Sequence, residues 1–188
     1  MLRFFLLAFS LVFTLTGCNN KATPPKPLGE EDFRFEYNSA EITENTEAEE
    51  IESKLGFGAD FDANNNGYIS SGGGAIRWQA AYPNSDDVEC RMVFLTTASD
   101  TTYLVFAQLN NVSTNRGVKA GDSYEKLFEM YGEPQSKLTP YEGYETYRYT
   151  LNEKYIDFVI DNDANSIDYI VIDYRSYQAD QDQSYESL

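Results

Sequence analysis

Val118-Lys-Ala-Gly-Asp-Ser-Tyr-Glu-Lys-Leu-Phe-Glu-Met-Tyr-Gly132 lies over Ile42-Thr-Glu-Asn-Thr-Glu-Ala-Glu-Glu-Ile-Glu-Ser-Lys-Leu-Gly56 at one constant offset. The matched pairs are Ile42/Val118, Ala48/Tyr124, Ile51/Leu127, Leu55/Tyr131 and Gly56/Gly132. In each copy the apolar residues fall three and four apart, the stripe of a short amphipathic helix. Thr46 stands three before Glu49, and Asp122 or Ser123 stands ahead of Glu125 and Lys126, so each helix has a start signal. Each ends at a glycine suited to positive φ, and Pro134 follows the second.

Outward from each helix run three strand-like stretches. The first set is 76–82, 88–95 and 102–109, and the second is 144–151, 155–160 and 167–174. Polar turns separate them: 83–87, 98–100, Asn152-Glu153 and Asp161-Asn-Asp-Ala-Asn165. Alternation in Ile76/Trp78/Ala80/Tyr82, Val88/Cys90/Met92/Phe94 and Ile156/Phe158/Ile160 marks one buried face. The expected fold is α+β, with two tandem helix-then-β-meander repeats forming an antiparallel sheet with helices on one face. The repeats take 33–113 and 114–177, and Phe33-Arg-Phe-Glu-Tyr37 adds an entry strand to the first.

Thr114-Asn-Arg-Gly-Val-Lys-Ala-Gly-Asp-Ser-Tyr-Glu-Lys-Leu-Phe-Glu-Met-Tyr-Gly-Glu-Pro134 resembles the Gly-aliphatic-x-x-Gly-Asp-Ser…Tyr-Gly-x-Pro segment of uncharacterised Gram-positive lipoproteins. Those look, in fold, like the β-lactamase-inhibitor-protein (BLIP) and BamE/SmpA superfamily, whose unit is a helical segment followed by a β-meander. The resemblance implies a tandem form that presents a concave sheet face to a protein partner. It does not imply β-lactamase inhibition. The first copy is the poorer match, with Glu44-Asn45 where the second has Ala120-Gly121.

The amino terminus reads as an address. Arg3 precedes an apolar run over Phe4–Leu15, too short to span ~30 Å of hydrocarbon, and Leu15-Thr-Gly-Cys18 follows. That ending resembles the bacterial lipobox, which implies a signal peptide over 1–17, lipid on Cys18 and an extracytoplasmic protein held to the membrane by its lipid anchor alone. Residues 18–32 are Pro-rich and polar and read as a tether; 178–188 read as an acidic tail.

Composition narrows the function classes. The 188-residue chain has 31 Asp and Glu against 14 Lys and Arg, a net charge of −17. Losing Arg3 with the signal makes the mature chain more acidic still, which argues against nucleic acid, whose phosphates need cationic side chains. There is no histidine, so Ser-His-Asp and Cys-His nucleophiles and His-containing zinc sites are excluded. Carboxylate-only glycoside hydrolysis survives that test, but no acidic pair stands out from the rest. No catalysis and no cofactor is therefore the expectation. Cys90 lies on an apolar alternation and reads as a core thiol.

Two groups of residues are candidate sites. Asp60, Asp62, Asn64, Asn66 and the Tyr68 carbonyl follow the start of an EF-hand loop, which would bind Ca2+. Gly73 stands where a bidentate Glu is needed, so an Asn/Gly-rich turn is the competing reading. A calcium-binding adhesion or structural protein is the alternative function that this loop would support. The second group is Arg77, Arg91, Tyr144, Arg148, Tyr155 and Tyr169, on strand positions opposite the expected core. Tyr and Arg dominate binding hot spots, and the competing reading is a solvated face of β-formers. The expected function is a protein-binding or scaffolding module for another envelope or extracellular protein.

Overall fold

A computed structural model of the chain describes residues 24–56, 68–70, 76–83, 87–96 and 102–174. A 3-10 turn over Glu30–Phe33 leads into a hairpin of β1 (Phe35–Tyr37) and β2 (Ala40–Ile42). Asn38 and Ser39 make its turn at φ of 47° and 66°. The expected entry strand is thus half of a separate two-stranded sheet, which makes a β-bridge from Phe35 to Thr114 and sends Phe35, Tyr37 and Ile42 into the common core.

Helix α1 (Ala48–Leu55) is followed by β3 (Tyr68–Ser70), β4 (Ile76–Tyr82), β5 (Cys90–Thr96) and β6 (Thr102–Leu109). Helix α2 (Tyr124–Tyr131) is followed by β7 (Ser136–Leu138), β8 (Tyr144–Leu151), β9 (Lys154–Asp161) and β10 (Ser166–Asp173). The eight strands form one antiparallel sheet in the order β3-β4-β5-β6-β10-β9-β8-β7. The fold is α+β, as expected. Strands β3 and β7, three residues each, had no counterpart in the sequence pattern.

Cross-strand neighbours share a face, so the register traces the core. One row runs Tyr82–Cys90–Leu109–Ile170–Phe158–Tyr147 and the next runs Ala80–Met92–Ala107–Ile172–Ile156–Tyr149. Every one of these twelve is buried. Cys90 is fully buried and free, its thiol pushed up by desolvation, so it is a core residue and a poor nucleophile.

Both helices lie on this face. Leu127 and Tyr131 of α2 are buried, and the Tyr131 ring meets Tyr149 at 5.3 Å and Phe158 at 4.9 Å. The helix ends are tied down alike. Gly56 and Gly132 take φ of 77° and 76°, a region costly for other residues. Tyr82 Oη donates to the Gly56 carbonyl at 2.9 Å, and Tyr149 Oη to that of Gly132 at 2.7 Å.

The helix starts differ. Ser123 caps α2, its Oγ accepting from Lys126 N. Thr46 does not cap α1, contrary to expectation. Its hydroxyl is turned back to accept from Thr43 N at 2.8 Å, and Glu47 takes the cap position without a side-chain bond.

Candidate functional site

The sheet face away from the helices carries its own rows: Arg148–Asp157–Val171–Gln108–Arg91–Ala81 and Thr150–Tyr155–Asp173–Phe106–Val93–Gln79. It is only partly a solvated face. Asp157, Val159, Asp173, Thr146 and Val93 on it are all buried, so its long side chains lie over their neighbours instead of standing in water.

Arg148 organises the centre. Its Nε and Nη2 donate to the two oxygens of Asp157 at 2.8 and 2.7 Å, and its guanidinium lies 3.7 Å from the Tyr155 ring centroid. The fork matches a carboxylate, and the planar cation stacks on an aromatic face. Burial pushes the Asp157 carboxyl above its ordinary value, and the Arg148 charge pulls it back only in part. Asp173 beside it pushes in the same direction as burial. Both oxygens of Asp157 are thus engaged by Arg148.

Toward the β7 edge the face becomes aromatic. Tyr144 stands opposite Asp161, and its ring meets that of Tyr141 at 4.7 Å. Tyr169 pairs with Val159, which pairs with Thr146, two residues along β8 from Tyr144. Burial raises the Tyr169 hydroxyl, helped by its hydrogen bond with Tyr141. The Asp161 and Asp168 charges raise that of Tyr144. Leu138 and Tyr141, at 43% and 49% exposure, are the exposed large apolar side chains among the described residues.

The structure therefore brings Tyr144, Arg148, Tyr155 and Tyr169 onto adjoining strands of one face, with the half-buried Arg91 farther off on β5. Arg77 pairs with Leu95 at the far end, and its side chain lies outside the described residues, as do Cys18, Asp60, Asp62, Asn64 and Asn66. Tyr68 opens β3. Among the described residues no group of three His, Cys, Asp or Glu side chains is placed to hold a metal ion.

Sequence reading missed Tyr141 and Leu138, which sit in or beside a loop without periodicity. It also missed two clamps on the amino-terminal segment. Arg116 donates to both oxygens of buried Asp32 at 2.6 Å and to the carbonyls of Lys26, Pro27 and Met130, and it lies 4.6 Å from the Tyr131 ring centroid. Lys154 pairs with Glu30 and Glu44 over the Phe33 ring. Residues 24–32, expected to be the end of a tether, are instead laid against the domain.

No protein-family model matches the chain. No curated protein matches it either. Among solved structures it is similar to a DUF4309 family protein (YjgB) from Bacillus subtilis, at 14% identity and a TM-score of 0.50, covering 78% of this chain and 90% of that one. It is also similar to an extracellular protein containing a SCP domain from Bacillus anthracis, at 11% identity and a TM-score of 0.46. That match covers 74% of this chain and 46% of the other protein's length. At such identities the first likeness shows a shared fold alone. Among the described residues no helix is long and apolar enough to cross a membrane.

Proposed function

We propose that this is an extracytoplasmic lipoprotein, anchored through Cys18, that binds another envelope protein on the sheet face opposite α1 and α2. The observation that carries the binding role is the grouping of Tyr144, Arg148, Tyr155 and Tyr169 on adjoining strands of that face. Rigid tyrosines supply contact area at low entropic cost. In this reading the chain holds two BLIP-like units. The matching ends of α1 and α2, each a positive-φ glycine whose carbonyl accepts from a strand tyrosine, support it. Each helix is also followed by four antiparallel strands.

Arg148 is held by Asp157, so its part is to fix the Tyr155 ring, and the tyrosines make the contact. The test is capture from the membrane fraction with the full-length protein as bait. Tyr155→Ala with Tyr144→Ala should abolish recovery of the captured protein while leaving the fold's melting transition in place. Recovery unchanged by the pair would sink the assignment of this face. Anchoring is tested separately: Cys18→Ala should release the protein from the detergent phase, and a variant still processed and membrane-held would refute it.

A further inference from the structure

We propose that the Tyr141–Tyr144–Tyr169 cluster at the β7 end of the outer face docks a lysine- or arginine-bearing segment of the partner protein. This rests on the outer face being the partner surface and adds the chemistry of what it takes.

The register sets the geometry. Tyr144 faces Asp161 across β8 and β9, Tyr141 packs on Tyr144 at 4.7 Å, and Tyr169 lies on the neighbouring strand row. Asp168 is exposed beside Tyr169, at the irregularity between Ile167 and Tyr169 that breaks the β9–β10 register. Aromatic rings flanked by carboxylates attract a cation twice, through ring quadrupole and through charge.

Charge distribution around the cluster points the same way. Residues 138–147 and 158–174 contain no Lys or Arg, and of their acidic residues Glu142, Asp161, Asp163 and Asp168 lie in or beside the strands and turns that carry the cluster. The cations nearest in sequence are engaged elsewhere: Arg148 with Asp157, Lys154 with Glu30 and Glu44, and Lys137 over the Tyr147 ring at 4.5 Å. Exposed Leu138 and Tyr141 supply apolar surface for the stem of a long cationic side chain. An acidic or neutral segment would meet only repulsion or unpaired carboxylates here.

The experiment titrates the full-length protein with a short peptide of alternating glycine and arginine, and with its glutamate counterpart, at physiological salt. Binding is followed by amide chemical shifts. The arginine peptide should perturb residues 138–146 and 159–169, and the glutamate peptide should not bind. Tyr141→Ala with Tyr144→Ala should weaken binding about tenfold, the loss expected of two ring contacts. The corresponding Phe variants should retain it. Shifts spread over the whole acidic surface, or affinity indifferent to the tyrosines, would overturn the proposal. Capture of the membrane partner, run in parallel, separates this idea from the one beneath it. A partner captured equally well by the Tyr141/Tyr144 variant overturns this docking site. A partner lost with Tyr155→Ala and kept by the Tyr141/Tyr144 variant overturns it while leaving the outer face as the binding surface.

Discussion

Single side chains in this protein do their work as paired charges, and the pairs differ in how far they are removed from water. Arg116 is 11% exposed and Asp32 is 2% exposed, so each depends on the other. Arg116→Ala would leave the buried Asp32 carboxylate with only its bond from Gly29 N and should cost on the order of 3–5 kcal/mol. Arg116→Lys should restore only part of this, because an ammonium cannot reproduce the fork. Denaturant melts measure both, and proteolysis within 24–32 should quicken in the alanine variant. Arg148, at 30% exposure, is wetter, and Arg148→Ala should cost less, roughly 1–3 kcal/mol. Its pH dependence follows from Asp157, whose folded value is raised above the unfolded one. Such a group favours the folded state when protonated, so the deficit of Arg148→Ala is full at neutral pH and shrinks as pH falls through the Asp157 transition. A deficit that grows with acid would mean the carboxylate is not buried as described.

Elements hold together through the α2 stripe, whose Leu127 is fully buried in the core that Ile156 and Phe158 also enter. Leu127→Ala should destabilise by about 2–5 kcal/mol, and a loss below ~0.5 kcal/mol would show that α2 is not packed on the sheet. Gly132→Ala should also destabilise, since φ is 76° there and a Cβ would sit 3.1 Å from Pro25. Helices and long strands were legible because each buries one face, which imprints a period of 3.6 or 2 on the residues. Strands β4, β6 and β8 begin and end where alternation and turn residues put them. Strands of three residues are too short to carry a period, and all three residues of β7 are exposed, so it left no imprint. On β9 the limit was different: residues 156–160 are buried on both faces, so alternation named the core face correctly but left the burial of the intervening Asp157 and Val159 unmarked. The candidate site was legible to the same depth. Tyr144, Arg148, Tyr155 and Tyr169 could be assigned a face, whereas the pairing of Arg148 with Asp157 and the approach of Tyr141 are tertiary facts.

At the scale of the whole molecule, acidity and tyrosine content set how the protein should fail. A net charge of −17 makes the compact state self-repelling as pH rises, and the core contains phenols that must stay protonated. The Tyr37 and Tyr147 hydroxyls are pushed up to about 12, chiefly by burial and then by Glu89 and Glu145 respectively. Those of Tyr131, Tyr149 and Tyr174 are raised further by the same desolvation. The unfolded chain ionises its tyrosines near ~10. Folded values above unfolded ones mean that this stability is fully present below pH ~10 and drains as pH climbs toward the folded values. Each such tyrosine removes about 1.4 kcal/mol per pH unit across that interval. Several acting together draw on the same ~5–15 kcal/mol that holds a domain of this size. The protein should therefore unfold cooperatively between pH ~10 and ~12, phenolate absorbance rising in step with the loss of β-sheet dichroism. Tyr37→Phe with Tyr147→Phe should move that midpoint upward, because two of the linked protons are gone. Gradual phenolate formation with the sheet intact would mean the rings are reached by water while folded, and that the packed face of the sheet is looser than its register implies.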